Sequence, residues 1–130
     1  LKVLDTDVCV EILRGNRDVI GRRRNTGVRV VTTWVTAGEL FYGAAKSREP
    51  ARNRELVERF LETLVVVGLD TYSVQFFGAL KAQLELEGRR LADADLWIAG
   101  IARAHRAIVV TGNVKHFSRI PGVEIENWLR

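Results

Sequence analysis

The chain has 130 residues, of which 47% are hydrophobic and 28% charged, with a net charge of +4 at pH 7. That length suits one domain, residues 1–130, able to bury roughly two-thirds of its unfolded surface. One cysteine excludes an internal disulfide, two histidines (His105 and His116) are too few for a usual zinc cage, and no apolar run approaches the ~20 residues of a membrane span.

The lone thiol, Cys9, sits in an apolar stretch and is expected to be buried, which fits a reducing, cytoplasmic setting. No signal peptide is expected at the start. The basic excess is mostly arginine and favours a polyanionic partner over an acidic small molecule.

In chain order, residues 2–5 read as a short buried strand and residues 8–13 as a helix stopped by Gly15. A second short helix is expected over 16–24. It carries the densest basic patch, Arg22, Arg23 and Arg24, which is either a solvated helix end or a clamp on phosphates. Residues 29–33 are a strand by their β-branched content. A helix follows over 36–46, where Thr36 and Glu39 have capping-box spacing. Pro50 opens a helix through about 64, then 64–69 forms a strand. Asp70 or Thr71 caps a long helix over 72–87, ended by Gly88. Asp93 is expected to cap a helix over 95–105. A strand at 107–111, a short helix at 115–118 and a last strand at 123–125 complete the chain.

Strands alternate with helices, and the strands are too apolar to face water on one side. The pattern predicts an α/β fold with a mostly parallel sheet covered on both faces. In such a sheet, ligands sit outside the carboxyl ends of the strands. Asp5 and Asn113 each follow a predicted strand, and Glu39 and Asp95 each lie near the start of a predicted helix, so all four are candidates for one crevice. Asp7 is either a helix cap or a support to that site, and Asp93 and Asp95 both suit the positive end of a helix dipole. Two carboxylates about 5 Å apart repel by roughly 3 kcal/mol at an effective dielectric near 20. A cluster of three therefore raises its pKa values or recruits a cation. All-oxygen ligands suit Mg²⁺ or Mn²⁺, which would neutralise a phosphate and acidify a bound water.

Other chemistries find little support. The chain has no GxxxxGK[ST], no GxGxxG and no GxSxG elbow. Residues 5–7 (DTD) and 109–111 (VVT) are similar to the first two motifs of haloacid-dehalogenase-like phosphatases. However, position 9 is Cys where that family has Thr, and no paired acids follow Thr111.

The motifs LDTDV at the start, TAGELFYGAA at 36–45, GRRLADADLWIAGIARAH at 88–105 and IVVTGNVKHFSRIPGVEIENW at 108–128 together resemble the PIN domain, and within it the VapC-type ribonuclease toxins of toxin–antitoxin pairs. The likeness spans nearly the whole chain in order. It implies a three-layer α/β/α sandwich around a central, mostly parallel sheet, and a Mg²⁺- or Mn²⁺-dependent endoribonuclease. It puts the catalytic set on Asp5, Glu39, Asp95 and Asn113, with Asp5 and Asp95 as metal ligands and Asp7 and Thr111 in support. An amide stands at 113 where many members have Asp, so a second ion would bind more weakly, and Asp7 would partly compensate. The likeness also implies an RNA substrate, held by arginines such as Arg22, Arg23 and Arg24, a cognate antitoxin whose tail occupies the crevice, and a toxin homodimer. Trp34, Phe41 and Phe76 are expected in the core. Two alternatives stay open: a small phosphatase with Asp5 as nucleophile, and a binding module for RNA or protein that has lost catalysis.

Overall fold

Short runs of β-branched residues alternate with amphipathic helices, and the computed structural model, which describes residues 1–130, shows the sheet this pattern demands. The order is β1 (Lys2–Leu4), α1 (Thr6–Leu13), α2 (Arg17–Asn25), β2 (Val30–Thr33), α3 (Trp34–Ala45), α4 (Pro50–Leu61), β3 (Val65–Val67), α5 (Thr71–Leu86), α6 (Asp93–Ala104), β4 (Ile108–Val110), α7 (Val114–Phe117) and β5 (Ile125–Glu126). Every strand pair is parallel, and the strands lie in the order β3-β2-β1-β4-β5. The chain steps outward from β1 to β3, then returns to the other side of β1 for β4. That reversal opens a crevice at the carboxyl ends of β1 and β4, where neighbouring connections leave in opposite directions.

Two cores sandwich the sheet. Adjacent strand residues point to opposite faces, so Val3 and Val109 join Leu80, Leu84, Leu96, Ile98 and Phe117 from α5, α6 and α7. Leu4 and Val110 join Val8, Val19, Leu40, Val57 and Phe60 from α1 to α4 on the other side. This is the expected three-layer α/β/α arrangement. Cys9 is fully buried, and burial pushes its thiol up to about 12, so it packs rather than reacts. The two helices α5 and α6 meet closely because position 100 lacks a side chain. A Cβ at Gly100 would fall 2.8 Å from the Ser73 carbonyl oxygen.

Three local expectations need correction. α3 is capped by Thr33, whose hydroxyl accepts from Thr36 N at 3.1 Å, so Thr36 and Glu39 are not a capping box. Glu39 instead lies in the second turn of α3, beyond the reach of the end groups a cap would satisfy. Asp93 does not cap α6: Ala92 holds that position with no side-chain bond, and Asp93 pairs with Lys81 at 3.0 Å. Trp34 is 61% exposed at the start of α3, not in the core. Phe41 packs on the second core as expected, and half-buried Phe76 lies under the Arg103 guanidinium, 5.0 Å from its ring centre.

Candidate active site

The site is built from the first turn of α1 outward. Asp5 follows β1 directly, caps α1 and is only 4% exposed. Its Oδ1 accepts from Thr6 N at 2.8 Å, and its Oδ2 accepts from the Thr111 hydroxyl at 2.7 Å. Thr111, fully buried at the end of β4, also accepts from Asn113 N at 2.9 Å. Asp7 reaches the same loop: its Oδ1 accepts from Val8 N at 2.8 Å and its Oδ2 from Gly112 N at 2.9 Å. Between them, Thr6 turns its hydroxyl to Glu39, donating to Oε1 at 2.5 Å, with Thr36 Oγ1 3.1 Å away. Asp95 lies in the first turn of α6 with its side chain 13% exposed. His116 Nδ1 approaches Asp95 Oδ2 to 3.3 Å but has no hydrogen-bond partner, because the approach is poorly directed.

The electrostatics bind these residues into one group. Burial lifts the Asp5 carboxyl from 3.8 to about 7; the Thr111 bond pulls it down, and the Asp7 and Asp95 charges push it up. Asp7 is raised by burial and eased by its bonds to Gly112 and Val8. Asp95 is raised by burial, eased by His116, and pushed up further by Glu39 and Asp7. Asp5 and Asp95 therefore each feel the charge of neighbouring acids, a condition that a divalent cation relieves. As the side chains stand, no three acidic, histidine or cysteine groups converge to ligand distance. The chemistry of the donor set nonetheless fits a hard cation, since a carboxylate oxygen holding one protein donor keeps a lone pair for a metal.

The structure thus brings Asp5, Asp7, Glu39, Asp95 and Thr111 together at the switch point. Asn113 sits on the rim, exposed, with its side chain making no cap to α7. Two arginines of the expected clamp also have structural partners. Arg22 donates to the carbonyls of Asn127 at 3.2 Å and Arg130 at 2.8 Å, and Arg23 donates to Thr63 O at 3.1 Å and Thr63 Oγ1 at 3.0 Å. These guanidiniums tie down the C-terminal segment and the end of α4, and only Arg24 stays clear of such ties, exposed on α2. Sequence reasoning also missed Thr6, Gly112 and His116. Thr6 was visible as the middle of DTD; the other two carry no signal outside the folded loop. Beside Glu39, a groove between α1, α3 and α4 is lined by Leu13, Leu40, Leu56 and Val57, with Arg14 and Lys46 among its polar residues.

A parallel sheet in the order 3-2-1-4-5 makes this an open α/β fold, with its acids gathered at the switch point where such folds hold their ligands. The PIN domain family model matches residues 2–123. The tRNA(fMet)-specific endonuclease VapC of Salmonella typhimurium is 37% identical over 127 residues, covering 97% of this chain and 96% of that protein. Ribonuclease VapC2 of Haemophilus influenzae is 30% identical over 128 residues, covering 98% and 97%. Among solved structures, DNA-bound VapBC from Salmonella typhimurium superposes with a TM-score of 0.90 at 35% identity, covering 98% of this chain and 97% of that one. VapBC2 from Rickettsia felis, bound to a DNA fragment from its promoter, gives 0.90 at 28% identity and 98% coverage of both. The chain belongs to the PIN-domain family, within its VapC branch.

Proposed function

We propose that residues 1–130 form a single PIN-like nuclease domain, the toxin of a toxin–antitoxin pair, hydrolysing RNA phosphodiester bonds with Mg²⁺ or Mn²⁺. The observation that carries this reading is the mutual charge contact of Asp5, Asp7, Glu39 and Asp95 at one end of the sheet. Asp5 and Asp95 are assigned to hold the metal. When bound, the cation supplies charge neutralisation at the phosphate and a more acidic water. Glu39, exposed and steered by Thr6, accepts a hydrogen bond from the attacking water and orients it. Asn113 offers its amide to the phosphate or the water from the rim. Asp7 and Thr111 act behind the site by fixing the loop after β4 against Asp5.

The cognate antitoxin is assigned to the apolar groove beside Glu39, because an occupant there covers the site as well. A homodimer and a cytoplasmic location belong to the same reading; no helix is long and apolar enough to cross a membrane. The names of the Salmonella relative and of a Shigella flexneri relative at 33% identity specify tRNA(fMet), which makes initiator transfer RNA the first substrate to try.

The test is cleavage of total RNA and of purified initiator transfer RNA by antitoxin-free protein, with Mg²⁺, Mn²⁺ or EDTA, beside Asp95→Ala. The expected result is discrete, metal-requiring cleavage that falls at least about 100-fold in the variant. Cleavage surviving both EDTA and the substitution would refute the site, and intact RNA under all conditions would refute the substrate class.

A further inference from the structure

An RNA strand carries a negative charge on every phosphate, so a crevice walled by acids needs cations beside it to hold that strand. Many of the chain's cations are already engaged. Arg14, Arg52, Arg54 and Arg59 pair with nearby glutamates, and Arg22 and Arg23 hold carbonyls. Arg89 and Arg90 differ from these. Both are exposed, and neither guanidinium makes a hydrogen bond or ion pair within the chain. In the hollow they line, Lys81 is matched by Asp93 at 3.0 Å, so Glu85 offsets only one of the two guanidinium charges. Glu87, close by at the end of α5, accepts from Gln83 at 3.3 Å.

The turn that carries this pair is pinned. Gly88 takes the left-handed φ of 70° that ends α5, and two bonds close the turn: Gly88 N donates to Glu85 O at 3.1 Å and Arg89 N to Leu84 O at 2.8 Å. Leu91, next in the chain, packs on the core of that side of the sheet. The two arginines thus stand between a closed helix end and an anchored side chain, with their own side chains turned to solvent. Ala92 then caps α6, and Asp95 follows in its first turn. Five residues from Arg90 to Asp95 limit the Cα separation to about 18 Å even for a stretched chain, and the helical turn shortens it. We propose that Arg89 and Arg90 grip the RNA backbone on the α6 side of the crevice, each pairing with a phosphate oxygen of a nucleotide flanking the cleaved bond. The inference rests on the ribonuclease reading and adds the side of the crevice along which the strand runs. A guanidinium fork suits phosphate oxygens and carries no base preference, so the pair sets where the strand lies, not which sequence is cut.

The test uses fluorescently labelled initiator transfer RNA and the full chain in EDTA, so that binding is read without cleavage. Dissociation constants are measured over a range of salt for wild type, Arg89→Gln/Arg90→Gln and Arg89→Lys/Arg90→Lys. A control, Arg29→Gln/Arg106→Asn, removes two charges from the opposite edge, since Arg29 precedes β2 and Arg106 precedes β4 at the amino ends of the strands. The glutamine pair should bind about tenfold more weakly, with the slope of log affinity against log salt smaller by about 1.4–1.8. The lysine pair should keep most of the wild-type slope, and the control should keep all of it. Hydrogen exchange of the wild type should slow over 87–92 when the RNA is added, which decides the matter even if a variant fails to fold. A wild-type slope in the glutamine pair, or an equal loss in the control, overturns the inference while metal-requiring cleavage leaves the ribonuclease reading standing. Exchange over 87–92 that RNA leaves unchanged overturns it in the same way. A wild type that cuts no RNA with metal overturns the ribonuclease reading and the inference with it.

Discussion

Asp5→Asn tests the electrostatics of the site through stability alone. In the folded protein the Asp5 carboxyl is raised from 3.8 to about 7, chiefly by burial. Between those values the folded state keeps a proton that the unfolded chain has released. Stability from this residue is complete below 3.8 and is lost as pH rises through about 7. Roughly three pH units at about 1.4 kcal/mol each set a ceiling near 4 kcal/mol. The neutral amide escapes this loss and keeps its oxygen on Thr6 N, but its NH₂ must face the Thr111 hydroxyl, which then has to accept, so a gain of about 1–3 kcal/mol is the realistic expectation. In urea denaturation with EDTA, Asp5→Asn should be more stable than wild type at pH 7.5, and the gap should close toward pH 4. Adding Mg²⁺ or Mn²⁺ at pH 7.5 should raise the wild type far more than the variant, since only a folded carboxylate site gains from the ion. A variant less stable than wild type at pH 7.5 in EDTA, or a gap independent of pH, would refute the reasoning.

Other outcomes follow from single contacts. Thr6→Val removes the donor to Glu39 and should lower kcat about 10- to 100-fold while leaving the melting temperature and RNA affinity near wild type, as stopped-flow cleavage and melting curves would show. Gly100→Ala drives a methyl to within 2.8 Å of the Ser73 carbonyl, a backbone atom that cannot swing aside. It should cost about 1–3 kcal/mol in denaturant titration. Arg22→Ala and Arg23→Ala each remove hydrogen bonds to carbonyls and should cost about 0.5–1.5 kcal/mol. Neutral carbonyls leave both guanidiniums charged, so the salt dependence of RNA binding should flatten in either variant if α2 lines the RNA path and stay unchanged if it does not.

The sheet and its helices were legible because the strands are short β-branched runs and the helices carry clean apolar stripes, and both signals are local. Convergence of Asp5, Glu39 and Asp95 was legible for a different reason, since strand ends in an open parallel sheet share one edge whatever the side chains do. The misreadings came where a side chain had several local partners to choose from. Thr33 and Thr36 both suit a cap, and the chain uses the earlier one, which frees Glu39 for the site. The structural bonds of Arg22 and Arg23 were invisible in the sequence because their carbonyl partners lie 105, 108 and 40 residues away. His116 carried no signal at all, because its meaning depends on which way Phe117 turns α7.

The three residues Asp5, Thr6 and Asp7 each grip a different part of the fold: Thr111 at the end of β4, Glu39 on α3, and the Gly112 amide in the loop after β4. One tripeptide at a strand end therefore fixes the spacing of its own carboxylates and of Glu39 before any ion arrives. Charges held at such spacing are unfavourable without a counter-ion: burial raises Asp5, Asp7 and Asp95, and neighbouring acids push Asp5 and Asp95 up further. The stability lost there appears as affinity for whatever cancels the charge. A cation cancels it during catalysis, and a basic side chain of the antitoxin would cancel it during inhibition. Ion and antitoxin are thus expected to compete at the site, so raising Mn²⁺ should weaken antitoxin binding to the wild type in calorimetric titration. If antitoxin affinity is instead independent of Mn²⁺, or rises with it, the antitoxin silences the toxin without entering the acidic crevice.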